Sequence, residues 1–461
     1  MLQSNKFADY LETVRQQIRW KRAQTYVLEE IENHLADQKD AFQRDGFDEE
    51  TATIKAIAEM GDPVVVGEQL DRTHRPKPDW PLLAMTAMLI ILGLSLQFIV
   101  GTDINNGMEM FYRQATWVGL AVIVFLVAYF LDFTIVGKYS LIIYLLLIAI
   151  TLGDYWFFGV RAAGYNTVIY PLLLFPTIFA GLVYRMRNEG YWGLAFCGAS
   201  VIVPVFLILL IHNSTVLFLI GTSCLIILTV AIAKGWFNVR KLYALLMLYL
   251  SSAVIFLTMF FMMINQDYVR IRLQLALNPS SDPMGVGYMP TLIRRLLLHS
   301  QLFGEGLPVT DYGQYPIAKI LPGINTDFLL TYLTYEFGWI LLIGILLVFV
   351  AFIVRSVIIS KRQKSVLSQL VSLAIILTFA IQFLTFVASN LGFLLFGPVS
   401  LPLISYGGRA LLINMCLIGF LLSIFRTGGL VRDNIGVAGI KSSPLIQYED
   451  GKIIINLKAA Q

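Results

Sequence analysis

Three polar stretches stand out in the second half of an otherwise apolar chain. They are Tyr268 to Tyr288, Leu321 to Phe328 with Glu336 beyond it, and Leu401 to Arg409. An ionisable side chain beside a long apolar run is costly unless it is paired or used, so Asp327 is a candidate functional residue. A carboxylate at this position could accept a proton from a reacting hydroxyl group.

Asp327 also has a purely structural interpretation. Thr326 and Asp327 precede a long apolar run, and an acidic group at a helix N-terminus is stabilised by the free amide groups and the helix dipole. Glu336, about two and a half turns further along, is either a second buried carboxylate or a packing partner. The sequence leaves both alternatives open.

Positive side chains near these stretches would suit an anionic phosphate group, because guanidinium groups bind phosphate oxygens in pairs. The candidate substrate-binding cations are Arg270, Arg272, Arg294, Arg295, Lys319 and Arg409. The alternative is that some of them contact lipid phosphates or pair with Asp267 and Asp282. A divalent cation, Mg²⁺ or Mn²⁺, could also stabilise the phosphate, although the sequence shows no metal site. We interpret the acidic group from Glu29 to Asp37 as a solvated helix face.

The composition predicts what must position these residues. The 461-residue chain is 57% hydrophobic and 14% charged, whereas an ordinary globular chain is roughly a quarter charged. Apolar runs long enough to cross a hydrocarbon core of about 30 Å recur along it. We place them near 81–100, 115–135, 139–158, 166–184, 191–211, 214–233, 241–264, 327–354, 366–390 and 401–425. The expected fold is an all-α polytopic membrane protein with about ten transmembrane helices.

The charge of the connections predicts the orientation of these helices. Lys and Arg are abundant in every second connection, for example at Lys138, Arg185 and Lys361, and scarce in the others. Because positive loops are retained in the cytoplasm, both termini are predicted to be cytoplasmic. One long segment, 265–326, then lies outside between the seventh and eighth helices, and its apolar pattern around Leu296 indicates a helix at the membrane interface.

The first 80 residues differ from the rest in charge. They hold 16 of the 30 acidic and 11 of the 34 basic residues, so the net charge of +4 gives no reason to expect a nucleic-acid partner. Helical spacing of apolar residues, a helix start at Asp48 and a stop at Gly61-Asp62-Pro63 predict a small soluble helical domain. The predicted organisation is a cytoplasmic domain 1–72, a linker 73–80, a membrane domain 81–430 and a cytoplasmic tail 431–461.

The three polar stretches carry a resemblance. In this order and spacing they closely resemble the RodA/FtsW (SEDS) family of bacterial cell-wall proteins, and the combination of Asn325-Thr-Asp-Phe328 with Pro402-Leu-Ile-Ser-Tyr-Gly-Gly408 is its most specific part. That resemblance implies a ten-helix glycosyltransferase that polymerises lipid II beside a class B penicillin-binding protein. It maps the family's essential outer carboxylate onto Asp327 and places Thr326 and Ser405 with the substrate-binding residues.

The first half of the chain departs from the family pattern. Tyr170-Pro-Leu-Leu173 stands where relatives have Gln-Pro-Ser-Glu, and Asn213 stands near the place of a family aspartate. An amide cannot act as a base and a leucine cannot bind a cation. The acidic domain resembles prefix domains of some Gram-positive permeases, which implies a cytoplasmic partner.

Three functions follow as expectations, all at a bacterial cytoplasmic membrane. The first is a peptidoglycan glycosyltransferase acting at the outer face in cell shape, division or sporulation. The second is a non-catalytic regulator or scaffold of a cell-wall synthase. The third is a flippase for a lipid-linked sugar, which the scarcity of mid-membrane charges disfavours.

Overall fold

The structure is a computed structural model of the 461-residue chain. It describes residues 3–104, 106–158, 168–265, 270–271, 273–274, 278, 282, 285–309, 316–428, 446–449 and 452–455. Arg272 and Asp267 lie outside these residues. Most described residues are helical, and the ordered helices form two groups with separate apolar cores.

Four helices lie in the amino-terminal region that was predicted to be a soluble domain, and they share an apolar core of their own. They are α1 (Gln3–Gln17), α2 (Lys21–Arg44), α3 (Glu49–Met60) and α4 (Pro63–His74). Val14, Ile18 and Leu35 are buried between them, as their spacing predicts, whereas Ile54 is exposed. The predicted start at Asp48 is present, since its carboxylate accepts a hydrogen bond from Thr51 N at 3.1 Å.

The membrane domain begins with α5 and continues to α19. Its first helices are α5 (Trp80–Asp103), α6 (Gly107–Phe130), α7 (Thr134–Lys138), α8 (Ser140–Phe158), α9 (Ile169–Leu172), α10 (Phe175–Arg185), α11 (Gly190–Ile211), α12 (Ser214–Ala233) and α13 (Lys241–Ile264). The rest are α14 (Tyr288–His299), α15 (Ile317–Ile320), α16 (Leu329–Phe337), α17 (Trp339–Lys361), α18 (Val366–Asn390) and α19 (Gly408–Thr427). Within the described residues, nine helices are long and apolar enough to span a membrane.

Two of the ten predicted crossings are broken. The fourth is divided into α9 and α10, and Pro176 stands in the first turn of α10, where its missing N–H costs nothing. The eighth, predicted as one helix over 327–354, is divided at Gly338 into α16 and the longer α17. Gly338 adopts a φ of 92°, and a Cβ there would lie 2.5 Å from Leu302 O, so a side chain is excluded from this junction.

The tenth crossing begins later than predicted. Residues 401–407, which we call the 401–407 loop, are not helical, and α19 starts at Gly408. Leu403 has a φ of 69°, an uncommon conformation for a residue with a side chain. Part of the apolar sequence expected to cross the membrane is thus a folded loop.

The linker that precedes the membrane domain ends at Asp79, whose carboxylate is held by hydrogen bonds. Asp79 caps α5 by accepting from Leu82 N at 2.9 Å, and it also receives two hydrogen bonds of 2.9 Å from the guanidinium of Arg355 in α17. The first and the eighth crossings therefore share one carboxylate at the predicted cytoplasmic side.

The predicted carboxyl-terminal tail contains a short antiparallel hairpin that the sequence analysis did not predict. Its strands are β1 (Ile446–Glu449) and β2 (Lys452–Ile455), with Gln447 opposite Ile454.

Candidate active site

Asp327 lies in a turn between α15 and α16, outside the spanning helices. Residues 321–328 form this segment, which we call the Asp327 turn. The Asp327 carboxylate makes no hydrogen bond or ion pair with any residue that the structure describes. Burial raises its pKa from the ordinary value to about 6. The side chain is thus a partly buried base that is mostly ionised at neutral pH and is not engaged elsewhere.

The structure argues against a helix cap as the role of Asp327. The residue at the cap position of α16 is Phe328, which makes no side-chain capping bond. The free amide of Thr331 is instead bonded at 3.0 Å by the side-chain oxygen of Asn390, at the end of α18. The side chain of Asn390, from another helix, thus caps α16. The carboxylate of Asp327 is not used as a cap.

The backbone of the Asp327 turn is held by three other elements. Three consecutive peptide carbonyls each accept hydrogen bonds from outside the turn. The bonds are Gln97 Nε2 to Asn325 O (3.1 Å), Tyr406 N to Asn325 O (2.9 Å), Ser405 Oγ to Thr326 O (3.2 Å) and Asn390 Nδ2 to Asp327 O (2.9 Å). Because successive peptide units are fixed, the direction of the Asp327 Cα–Cβ bond is fixed as well.

The first half of the chain supplies part of this support. Gln97 in α5 also donates to Ile404 O at 3.1 Å, so one amide group joins the Asp327 turn to the 401–407 loop. One turn earlier, a Cβ at Gly93 would lie 2.5 Å from Leu403 O, so α5 and the loop are in direct backbone contact. Gln114 in α6 accepts from Gly407 N at 3.2 Å.

Gln97, Gln114 and Asn390 were missed by the sequence analysis. They are almost fully buried, with 4%, 2% and 2% of their surface exposed. The available signal was the presence of amide side chains within or beside apolar helices, where an unbonded polar group is costly.

The two hydroxyl residues assigned to substrate binding make hydrogen bonds within the protein. Ser405 is buried, and its hydroxyl accepts from Leu401 N at 3.0 Å while donating to Thr326 O. The Thr326 hydroxyl donates weakly to Gly323 O at 3.3 Å. Ser405 therefore joins the two motif segments rather than facing a substrate, because its donor is already used.

The candidate cations do not form one cluster in the described structure. Arg409, in the first turn of α19, pairs with Asp154 of α8 at 3.1 Å, which the sequence analysis did not anticipate. The guanidinium of Arg294 lies 5.1 Å from the ring centre of Phe393, just beyond α18. Arg270 is exposed and donates to Ile264 O at 3.4 Å.

Arg295 and Lys319 are the remaining described cations. Arg295 is partly exposed on α14, and its carbonyl bonds the ring of His299 at 2.8 Å. Lys319 lines a cavity of about 550 Å³ together with Asp103, Glu305 and Glu336.

The position of Glu336 at this cavity bears on its two predicted roles, a second buried carboxylate or a packing partner. The Glu336 side chain is half-buried at the cavity wall, so it is neither a sealed carboxylate nor a simple packing residue. Tyr332 on the same helix donates its hydroxyl to Asp103, the last residue of α5. Asp327 is not among the described residues that line this cavity.

The two departures from the family pattern have structural roles here. Leu173 is fully buried in the apolar core between α9 and α10. Asn213 caps α12 by accepting from Val216 N at 2.9 Å.

A metal ion bound by protein side chains needs several ligands that converge on one point. Across the described part of the chain, no group of three or more His, Cys, Asp or Glu side chains is placed to hold one. Asp327 alone does not form a cation site.

Comparison with known sequences identifies the family. The family model FTSW_RODA_SPOVE, described as cell cycle protein, matches residues 171–428. The chain belongs to the FtsW/RodA/SpoVE family. The match covers both motif segments of the site. Together with the apolar helices, it makes this FtsW/RodA/SpoVE member a multi-pass protein of the cytoplasmic membrane.

Curated relatives carry names from the same family. "Peptidoglycan glycosyltransferase MrdB" of Escherichia coli K12 is 30% identical over 175 residues, which is 38% of this chain and 46% of the relative. "Probable peptidoglycan glycosyltransferase FtsW" of Geobacter sulfurreducens is 23% identical over 361 residues, covering 74% of this chain and 92% of the relative. The alignment thus spans a little under half the length of the Escherichia coli protein.

A solved structure supports the fold. One chain of the structure "Structural coordination of polymerization and crosslinking by a peptidoglycan synthase complex" matches with a TM-score of 0.57. It is 18% identical, and the match covers 76% of this chain and 98% of that chain. The amino-terminal α1–α4 domain precedes the region matched by the family model.

Proposed function

We propose that this FtsW/RodA/SpoVE member is a peptidoglycan glycosyltransferase that polymerises lipid II at the outer face of the cytoplasmic membrane. The observation that carries the proposal is the Asp327 carboxylate, which is partly buried, without a partner among the described residues and mounted on a turn held from three sides. The names of the curated relatives support the reaction class.

The chemistry requires a base that is ionised before the reaction. The acceptor sugar hydroxyl attacks the anomeric carbon of the lipid-linked donor, and the bond from that carbon to the pyrophosphate oxygen breaks. The proton of the hydroxyl passes to Asp327, and the polyprenyl pyrophosphate leaves with the bonding electrons. A pKa of about 6 keeps Asp327 ionised at neutral pH while making it a better proton acceptor than an ordinary aspartate.

The leaving pyrophosphate needs positive charge. Arg409 is the best-placed candidate, since it begins α19 directly after the 401–407 loop and remains partly exposed beside Asp154. Arg294 is the second candidate, because it lies beside Phe393, three residues beyond the Asn390 that holds the Asp327 turn. Arg270 and Lys319 are proposed to contact lipid phosphates or the more distant part of the substrate. Mg²⁺ or Mn²⁺ bound to the pyrophosphate itself is a proposed participant.

The proposed partners follow from the family and from the solved complex. A class B penicillin-binding protein would crosslink the strands, and the similar solved chain comes from a synthase complex described as coordinating polymerization with crosslinking. The α1–α4 domain is proposed to bind a cytoplasmic partner.

A non-catalytic regulator is the second candidate. Leu173 and Asn213 serve as a core residue and a helix cap, so the polar groups that relatives carry at these places are absent. On this alternative, the helices would bind a cell-wall synthase without processing lipid II.

Reconstitution separates these functions. Purified full-length protein in liposomes is given lipid II, with and without a class B penicillin-binding protein, and glycan strands are measured for the parent, Asp327→Ala and Glu109→Gln. Glu109 is an exposed outer carboxylate paired with Arg113 and serves as the control. We expect strands from the parent and the control, and none from Asp327→Ala.

No strands from the parent under any pairing would favour the regulator, and movement of labelled lipid without polymer would indicate a flippase. Omitting Mg²⁺ and Mn²⁺ tests the cation.

A further inference from the structure

Gln97 and Asn390 have more contacts with the backbone of the Asp327 turn than a packing role needs. Gln97 donates to two carbonyls, one in the Asp327 turn and one in the 401–407 loop, both at 3.1 Å. Asn390 donates to Asp327 O at 2.9 Å and accepts from Thr331 N at 3.0 Å. The Gln97 amide therefore joins two backbone segments that are distant in sequence, and the Asn390 amide attaches the Asp327 turn and the first turn of α16 to the end of α18.

The two amides act at opposite ends of the same short stretch. Gln97 engages Asn325, two residues before Asp327, whereas Asn390 engages Asp327 itself and the first turn of α16. The Thr331 hydroxyl adds a bond of 2.9 Å to Asn390 O, so α16 is attached to the end of α18 through both backbone and side chain. The stretch between the two amides is the one that carries the carboxylate.

The chemical type of these side chains suits the task. An amide offers both a donor and an acceptor and carries no charge. Hydrogen bonds in a dry interior are strong and geometrically demanding, so they fix the backbone without placing a second ion beside Asp327. An Asp, Lys or Arg at either place would change the ionisation of the carboxylate that it positions.

We propose that Gln97 and Asn390 are positioning residues, which hold the Asp327 turn from its two ends and so set the direction of the carboxylate for proton transfer. This inference rests on the proposed glycosyltransferase function for its kinetic consequence. Its structural consequence, the restraint of the turn, can be measured without any reaction. Positional errors of about 1 Å in a reacting group cost on the order of 100-fold in rate, so loosening the turn should affect turnover more than binding.

The experiment compares Asn390→Ala and Gln97→Leu with two matched controls. Ser389→Ala removes a buried hydroxyl beside Asn390 that donates to Thr385 O and Phe396 O. Thr86→Ala removes a buried hydroxyl from α5 that donates to Leu82 O. Steady-state polymerisation of lipid II and amide hydrogen exchange over residues 323–331 are measured for each full-length variant.

We expect each amide variant to lower kcat about tenfold with KM changed less than twofold, and to speed exchange in this segment. The controls should change neither quantity. An unchanged kcat, a loss confined to KM, or a lower kcat without faster exchange would each overturn the proposal. If the parent itself makes no polymer, the glycosyltransferase proposal fails while the exchange measurement still decides the restraint of the turn.

A second variant guards against a folding failure of Asn390→Ala. Asn390→Asp has nearly the same shape and retains the acceptor for Thr331 N, but as a carboxylate it cannot donate to Asp327 O and adds a negative charge nearby. We expect the acid limb of its pH–rate profile to move to higher pH, because a like charge disfavours ionisation of Asp327. An unmoved profile would show that the side chain at position 390 does not lie beside the reacting carboxylate, which would contradict the proposal.

Discussion

The two halves of the membrane domain contribute different things to the candidate site. The second half carries the groups proposed to react or bind, which are Asp327 on its turn, Arg409 in the first turn of α19 and Arg294 on α14. The first half contributes support, through Gln97 and Gly93 of α5 and Gln114 of α6. The family motifs lie where the chemistry is, whereas the support consists of single residues in apolar helices that no motif marks.

That difference explains how the chain can lose polar residues at Leu173 and Asn213 while retaining an intact arrangement around Asp327. Those two positions lie in the core and at a helix cap, and the turn is held through other residues. Loss of a motif in one half is therefore weak evidence that the site as a whole has been lost.

The largest expected effect is at the reacting group in the second half. Asp327→Asn should reduce the rate of lipid II polymerisation by about 100-fold or more, because general-base catalysis typically contributes this much. The rate of strand formation in liposomes measures it, with Glu109→Gln as control. Activity retained in Asp327→Asn would remove the distinction between a reacting half and a supporting half.

The pH dependence of the rate should follow the same carboxylate. The pKa of Asp327 is raised to about 6 by burial, and the ionised form is the base, so activity should fall as the pH drops through about 6. At pH 5 about a tenth of the carboxylate is ionised, which predicts a roughly tenfold lower rate than at pH 8. A flat profile from pH 5 to pH 8 would show that Asp327 does not act as the base.

The contact between the halves can be broken at one glycine. Gly93→Ala should lower activity about fivefold and lower the melting temperature, because the new Cβ would lie 2.5 Å from Leu403 O and displace the loop. Gly119→Ala in α6 is the control, since no atom lies within 4 Å of its Cβ position, and it should be neutral or slightly stabilising. Equal effects of the two substitutions would mean that the α5 contact does not support the site.

The ion pair between Arg409 and Asp154 also joins the two halves. If Arg409 binds the pyrophosphate, Arg409→Ala should raise KM for lipid II about threefold to tenfold, and Arg409→Lys should recover part of the loss. Asp154→Asn should keep KM within twofold, because the guanidinium retains its charge. Substrate titrations check this. A larger effect in Asp154→Asn than in Arg409→Ala would assign the pair to structure.

The smallest expected effect is on stability. The folded state holds the proton of Asp327 up to about pH 6, whereas an unfolded aspartate loses it near its ordinary, lower pKa. The free energy of unfolding of the parent therefore falls as the pH rises from the ordinary aspartate pKa to about 6. Asp327→Asn cannot ionise, so its free energy of unfolding does not fall in this way. The melting temperature of Asp327→Asn should exceed that of the parent by roughly 2 °C or more at pH 8 and approach it at pH 4.5. A constant difference at both values would contradict the raised pKa.

The sequence by itself determined the membrane class, the apolar helices, the helical character of the amino-terminal region and the family. These are properties of local composition and spacing: runs of about twenty apolar residues, amphipathic repeats, and the capping signal at Asp48 are visible in short windows. Asp327 could be identified because a carboxylate beside an apolar run is unusual, and because two neighbouring motifs matched a family. The predicted orientation in the membrane stays a prediction from the charges of the connections.

Tertiary structure alone decided which residues meet. The break at Gly338, the late start of α19 and the roles of Ser405, Arg409 and Glu336 depend on contacts between residues far apart in the chain. Gln97 reaches Asn325 across 228 positions, and Asn390 reaches Asp327 across 63. A side-chain amide forms the same bonds with any peptide group, so its partner is set by how the helices pack and carries no signature in the local sequence.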